Sequence, residues 1–343
     1  IQTSAYSPRL AAQLRRDPVI IGMLVISTMT AAYSLGVLAA VDQSPVGSEA
    51  PMTTVVVGLG FALATLAWFA ALVQRAFENI QIGGILRTVA RQAWRAIDDI
   101  HPSAETSQLL PVPVKPEEVG VSEVEHSGKP GVVAAIDRAA LIALAQKSGG
   151  FIEVIPQVGE FISARSGAVR IFGGQREVTA RDVDAVFVLA RQRTVQQDPA
   201  FALRILVDIA IRALSAAIND PTTAVQTLDR IEALLIRLHE RHPGSTYVVD
   251  AEGRPRGLVH APMWIEYYDL GVTEVRQYGR NSIQIHRRLR ALHNHLLEVT
   301  NGEDHERGQR ELGQLDREAS IDFSAPHDIE MALEPDRLGI GGK

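Results

Sequence analysis

Between two apolar stretches the chain places Asn219-Asp220-Pro221-Thr222-Thr223, an amide, a carboxylate and two hydroxyls within five residues. Such a turn can contact a ligand or another subunit, and at a helix N-terminus it favours an anion. The same residues also make a helix start. Asp220 would be the N-cap, Pro221 the first helical residue, and the Thr223 amide the donor to Asp220. Asn219 tolerates the left-handed backbone that often ends a preceding helix. Upstream, Asp198 precedes Pro199, and Arg204, Asp208 and Arg212 step by four, the spacing of ion pairs along a helix. Asp198, Arg204, Asp208, Arg212, Asn219, Asp220, Thr222 and Thr223 are therefore the candidate ligand or subunit contacts.

Two further patterns carry chemistry of a different kind. Arg87, Arg91 and Arg95 also step by four. That face suits anionic lipid headgroups, or is an ordinary solvated stripe. Ser27, Thr30 and Ser34 share one helix face, and Gly60, Ala64, Ala67 and Ala71 form a small-residue face on another helix. Both patterns fit close helix packing with hydroxyls bonded to the backbone, and both fit a pore lining.

Other chemistries find no support. The 343 residues contain no cysteine, which removes disulfides, thiolate metal sites and cysteine nucleophiles. No P-loop, G-x-S-x-G, H-E-x-x-H or calcium-loop pattern occurs. His239 and His242 are three apart and could share a metal, whereas His293 and His295 fall on different helix faces. No matching acidic cluster accompanies them, so no metal, cofactor or catalytic residue is expected, nor an enzyme. A net charge of −6 argues against a nucleic-acid binder.

The elements that would hold these residues begin with two uncharged runs, 18–41 and 50–74. Each exceeds the ~20 residues needed to cross a hydrocarbon core. They predict a transmembrane hairpin over 1–75. Arginines 9, 15 and 16 precede it, Arg75, Arg87, Arg91 and Arg95 follow it, and the short loop DQSPVGSE has no basic residue. The positive-inside rule then puts both ends in the cytoplasm, with Trp68 and Phe69 at the inner interface. Neither run holds an ionisable group, which weighs against a proton relay. Because the chain starts at Ile1, further residues, and another span, are expected upstream.

Residues 76–110 predict a juxtamembrane helix, with Gly83-Gly84 as a hinge, and a proline-rich connector. Residues 111–178 predict a small α+β module. GVVAAID, FIEVIP and GAVRIF are its strands, and AALIALAQKS is a helix stopped by Gly149-Gly150. No lysine stands at the hairpin tip, so a lipoyl-carrier role is discounted. From Thr179 to 325 the chain predicts a cytoplasmic helical domain, starting with TARDVDAVFVLA as one helix and including a short hairpin around Ala251–Pro255. The tail 326–343 reads as flexible. The fold class is mainly α: a transmembrane helical hairpin, a cytoplasmic α+β module and a helical domain.

The stretch 191–231, with AINDPTTA at 217–224 and QQDPAF at 196–201, resembles the prokaryotic predicted membrane proteins called domain of unknown function 2254. YSPRL at 6–10, EVRQYGRNS at 274–282, GVVAAID and VGEFI fit as well. One departure is Ser215-Ala216-Ala217, where relatives often read Ser-Pro-Gly, so the preceding helix is expected to run on toward Asn219. The resemblance implies a four-span, multi-pass protein of the prokaryotic inner membrane, with Ile1-Gln2 ending a second span and the C-terminal region cytoplasmic. It implies no activity. Two readings follow. One is a homo-oligomeric, channel-like assembly in the lipid bilayer. The alternative is a membrane-anchored sensor or scaffold binding a ligand or partner protein. The sequence names no ion or small molecule.

Overall fold

The computed structural model describes residues 18–42, 51–80, 82–101, 120–174 and 176–339. The expected hairpin loop, most of the proline-rich connector and the arginines before Asp17 lie outside the described residues. The chain divides between Ile85 and Leu86 into two units.

The first unit, Ile1–Ile85, holds helix α1 (Pro18–Asp42) and helix α2 (Met52–Ile80). Within them, Gly22–Ala40 and Met52–Val73 are long and apolar enough to cross a membrane, and neither window has a buried residue. Leu24, Leu35, Leu59 and Leu66 all point outward. A soluble core helix would hide such residues; these two are apolar all round, as lipid requires. The helices meet along Thr54, Gly58, Phe61 and Thr65, alternate steps of four and three. Thr30 Oγ1 and Thr65 Oγ1 lie 2.8 Å apart, and Tyr33 OH donates to Thr54 O at 2.9 Å. Gly58 lies under Tyr33, and Gly22 leaves no room for a side chain against the Trp68 indole.

The small-residue face of α2 is a different one. Gly60 and Ala64 are not the face that meets α1; both are exposed, and nothing lies within 4 Å of where a Gly60 side chain would start. The bulkier stripe through Phe61 wins because Tyr33 offers it a ring, 5.3 Å away. Thr30 stands at the contact, while Ser34 bonds back to Thr30 O at 2.8 Å. Ser27 is half-buried.

Helix α3 (Ile82–Ile100) starts just after α2 ends, and Gly83-Gly84, read above as a hinge, fall in its first turn, next to the division between the two units. Beyond Leu86 it belongs to the second unit, where Leu86, Val89, Ala93, Ala96 and Ile97 are buried. Asp98 accepts from Arg237 at 2.7 Å and Arg241 at 2.9 Å, tying the helix end down.

The second unit begins with β1 (Val121–Glu125), β2 (Gly131–Ile136), α4 (Arg138–Ser148), β3 (Phe151–Val154), β4 (Phe161–Ile162) and β5 (Gly167–Phe172). Asp137 caps α4, and Gly149 ends it at φ 72°, as the glycine pair predicted. Next come α5 (Ala180–Asp184) and β6 (Phe187–Ala190). The single helix expected from Thr179 is thus a five-residue helix and a strand. The Asp182 carboxylate accepts from the Thr179 amide and hydroxyl, so the predicted start is real. Val186, Phe187 and Val188 favour extended backbone, and β2 offers them an edge.

Helices α6 (Pro199–Ala213) and α7 (Pro221–Arg241), the hairpin β7 (Thr246–Val249) and β8 (Pro255–Val259), and helices α8 (Trp264–Tyr278), α9 (Ile283–Val299), α10 (Gly302–Asp322) and α11 (Pro326–Leu333) follow. The five-stranded sheet has the order β1-β5-β3-β8-β7, and the three-stranded one β4-β2-β6. The hairpin, expected inside the helical domain, completes the first sheet, because β8 pairs in parallel with β3. Gly257 allows this: a side chain there would collide with Ile152 O and Leu141. Val133, Leu141, Ile152, Val154, Val169 and Val183 fill the core. In the helical part Leu203, Leu206, Leu228, Ile231, Leu235 and Tyr267 are wholly buried.

Two more expectations change. Helix α6 stops at Ala213 instead of running toward Asn219. The Ser215 hydroxyl takes the Arg212 carbonyl at 2.7 Å and the Asp220 amide takes that of Ala213 at 2.8 Å, which satisfies the helix end. The tail expected to be flexible forms α11 and then a turn. Asp336 accepts from the Leu338 and Gly339 amides and lies 3.9 Å from Arg287, a buried guanidinium that needs countercharge.

Candidate functional site

The Asn219–Thr223 turn is spent on capping. Asp220 Oδ1 accepts from Thr223 N at 3.1 Å, and Oδ2 accepts from Thr223 Oγ1 at 2.5 Å. Asn219 sits at φ 49°, the left-handed region its side chain tolerates. Only Asn219 and Thr222 remain as exposed polar groups in the turn. Arg204 is a clamp between helices. It bonds Asp208 one turn along α6 at 2.8 Å and grips the Glu274 carboxylate of α8 with both terminal nitrogens. Hydrogen bonding to Glu274 raises the Arg204 pKa and holds that of Glu274 down. Arg212 is exposed, and no ion pair to it is found among the described residues.

Asp198 is different. It is 3% exposed, caps α6 through Phe201 N at 2.9 Å, and accepts from Arg193 Nε at 2.6 Å and Nη2 at 3.2 Å. Gly159, at φ 92°, lies on this pair. A methyl there would strike both the guanidinium and the carboxylate, and the backbone angle also excludes other residues. Beside the pair opens a cavity of about 250 Å³, walled by Ile100, Gln157, Asp198, His260 and Tyr267 among others.

Five parts of the chain meet there: the end of α3, the β3–β4 turn, the segment after β6, the start of α6, and the stretch from β8 to α8. Apolar walls come from Ile100, Val158, Pro199 and Pro262. Tyr267 is 2% exposed, with its OH 3.5 Å from His101 Nε2. Burial, and then the Asp198 charge, push the tyrosine pKa up. Burial, helped by Arg138, lowers His101 to about 4, so it is neutral at pH 7. The lining thus carries the buried Asp198–Arg193 pair, the Tyr267 hydroxyl, the His260 ring and the Glu160 carboxylate, whose Oε2 accepts from Gln157 N at 3.2 Å.

Of the predicted contacts, only Asp198 reaches this cavity. Spacing does not single out Arg193, His260 or Tyr267, and it marks Gly159 only through its distance from Gly167, the turn pattern behind the discounted lipoyl-carrier role. One signal did point here: VGEFI and QQDPAF, quoted above as distinctive phrases, supply Val158, Gly159, Glu160, Gln197, Asp198, Pro199 and Ala200 to its wall.

Arg87, Arg91 and Arg95 are exposed on α3, on the side away from Leu86, Val89 and Ala93. No acid pairs with them among the described residues. His239 bonds Asp304 at 2.7 Å, and its ring centroid is 6.0 Å from that of His242. Among the described residues no three metal-ligating side chains come together.

A family model described as a predicted membrane protein, domain of unknown function 2254, matches residues 1–294. An uncharacterised protein of Mycobacterium bovis and one of Mycobacterium tuberculosis are each 29% identical over 290 residues. A second Mycobacterium tuberculosis strain has one that is 28% identical. The alignments cover 81% of this chain and 55% of each relative, so the chain spans about half the length of the curated relatives it matches. No solved structure matches it.

Proposed function

The chain belongs to the domain of unknown function 2254 family of predicted membrane proteins, and from that premise we propose a membrane-anchored, ligand-binding protein. In this reading α1 and α2 hold the chain in a prokaryotic cell membrane, and the unit from Leu86 onward, on the cytoplasmic side, takes a small molecule. The observation that carries it is the cavity at Asp198. Its volume lies just below the ~300–1,000 Å³ of most small-molecule sites. Its walls are largely apolar with a few convergent polar groups, and the group that suits them is a neutral amide or hydroxyl on a short apolar body. Ile100, at the far end of α3, is one wall, and α3 begins directly after α2. Occupancy of the cavity would thus bear on the helix that leads to the membrane segment.

The test uses the full chain in lipid nanodiscs with a panel of small amides, alcohols, amines and carboxylic acids. At least one neutral member should raise the melting temperature, and Ala200→Phe, which fills the cavity from the first turn of α6, should abolish the effect. A panel with no effect on the unmodified chain would sink the reading.

A second reading, the homo-oligomeric channel-like assembly, draws on the outward face of α2. Gly60, Ala64, Ala67 and Ala71 are exposed and turned from α1, where a helix of another copy could approach closely. Oligomeric state in mild detergent tests it; a monomer without a central path would exclude it.

A further inference from the structure

Three side chains from three separate segments form one hydrogen-bonded chain. Ser245 directly precedes β7, His260 directly follows β8, and Glu153 lies in β3. The sheet register brings them together. Thr246 pairs with Val259, so Ser245 and His260 are cross-strand neighbours. Glu153 pairs with Leu258, two residues before His260 and therefore on the same face. His260 Nε2 is 2.9 Å from Glu153 Oε1, and His260 Nδ1 is 3.0 Å from Ser245 Oγ.

The Glu153 side chain is 4% exposed, with Arg170 Nη1 at 3.6 Å supplying countercharge. As a carboxylate it only accepts, so the proton of a neutral His260 sits on Nε2. That leaves the Nδ1 lone pair facing the Ser245 hydroxyl. A hydroxyl bonded to an imidazole that a buried carboxylate orients is the arrangement of an activated nucleophile. The two ring nitrogens are used in the opposite order from the familiar serine triad. Ser245 is also open to approach. It is exposed, Gly244 before it has φ 150°, and no atom lies within 4 Å of where a Gly244 side chain would start.

We propose that Ser245 is a nucleophile, with His260 as its base and Glu153 as a positioning residue, that accepts acyl groups from small activated esters. Ser245 Oγ bonds the acyl carbon, its proton passes to His260 Nδ1, and the ester C–O bond breaks as the alkoxide leaves with that proton. Water then attacks the seryl ester, giving up a proton through His260. The acid is released and the serine restored. The idea goes beyond the ligand-binding reading: it shares the wall residue His260 with the cavity but requires neither Asp198 nor occupancy of the cavity, and labelling of Ser245 is read without any added ligand.

The experiment treats the full chain in nanodiscs with a fluorophosphonate, which bonds activated serines, and maps the adducts by peptide mass spectrometry. Ser122, exposed on β1, is the internal reference in the same sample. Ser245 should be labelled at least ~100-fold faster than Ser122, the lower range for a positioned base. His260→Ala should remove that advantage. Glu153→Gln should lower the Ser245 rate at least ~10-fold with an unchanged melting curve, and Glu153→Asp should restore part of it. If Ser245 reacts no faster than Ser122 in the unmodified chain, the proposal fails whatever the variants do. If it reacts faster but His260→Ala leaves the rate unchanged in a folded protein, the assigned base is wrong and the relay falls with it.

Discussion

Asp220 engages both carboxylate oxygens with Thr223. Asp220→Ala should therefore cost about 1 kcal/mol in chemical denaturation, and Asp220→Ser should recover most of it. An unchanged midpoint in Asp220→Ala would contradict the cap. Two buried histidines set a second expectation. Burial lowers His101 and His293 to about 4. The unfolded chain, with ordinary histidines, then binds more protons between about pH 6.5 and 4. Their contribution to stability is complete above that window and is lost as pH falls through it. The melting temperature should drop across the window, and His293→Gln should flatten the drop; a variant with the slope of the unmodified chain would refute the assignment.

Among the elements, what could be read from sequence was local. The two apolar runs, the Pro199 and Pro221 starts, the Gly149 stop and the Thr179–Asp182 start depend on residues within a few positions of one another. The strand β6 could not be read, because Val186–Ala190 is an equally good helix stripe until β2 supplies hydrogen bonds. Nor could the β8–β3 pairing, which joins positions about a hundred apart through the space left at Gly257. The cavity and the Ser245 relay both depend on that pairing, so neither had a local signature. Helix α3 carries its own prediction. If Arg87, Arg91 and Arg95 face anionic headgroups, each contributes roughly 1 kcal/mol. A fluorophore on Thr88→Cys, unique in a chain without cysteine, should be quenched by headgroup quenchers in anionic nanodiscs. Changing the three arginines to Gln should relieve the quenching. Equal quenching in both proteins would leave the stripe merely solvated.

At the scale of the whole molecule the proposal has two parts, an anchor and a binding unit. The orientation is tested with single cysteines at Met52, at the start of α2, and at Glu252, in the exposed β7–β8 turn. An impermeant thiol reagent applied to intact cells should label the first and spare the second, and the reverse pattern would overturn the topology. The ligand-binding claim is met most directly by native mass spectrometry of the full chain released from nanodiscs after incubation with the probe panel. The account predicts one small-molecule adduct per chain, absent when Ala200→Phe fills the cavity. A spectrum with no adduct on the unmodified chain, or with the same adduct on both proteins, would contradict it.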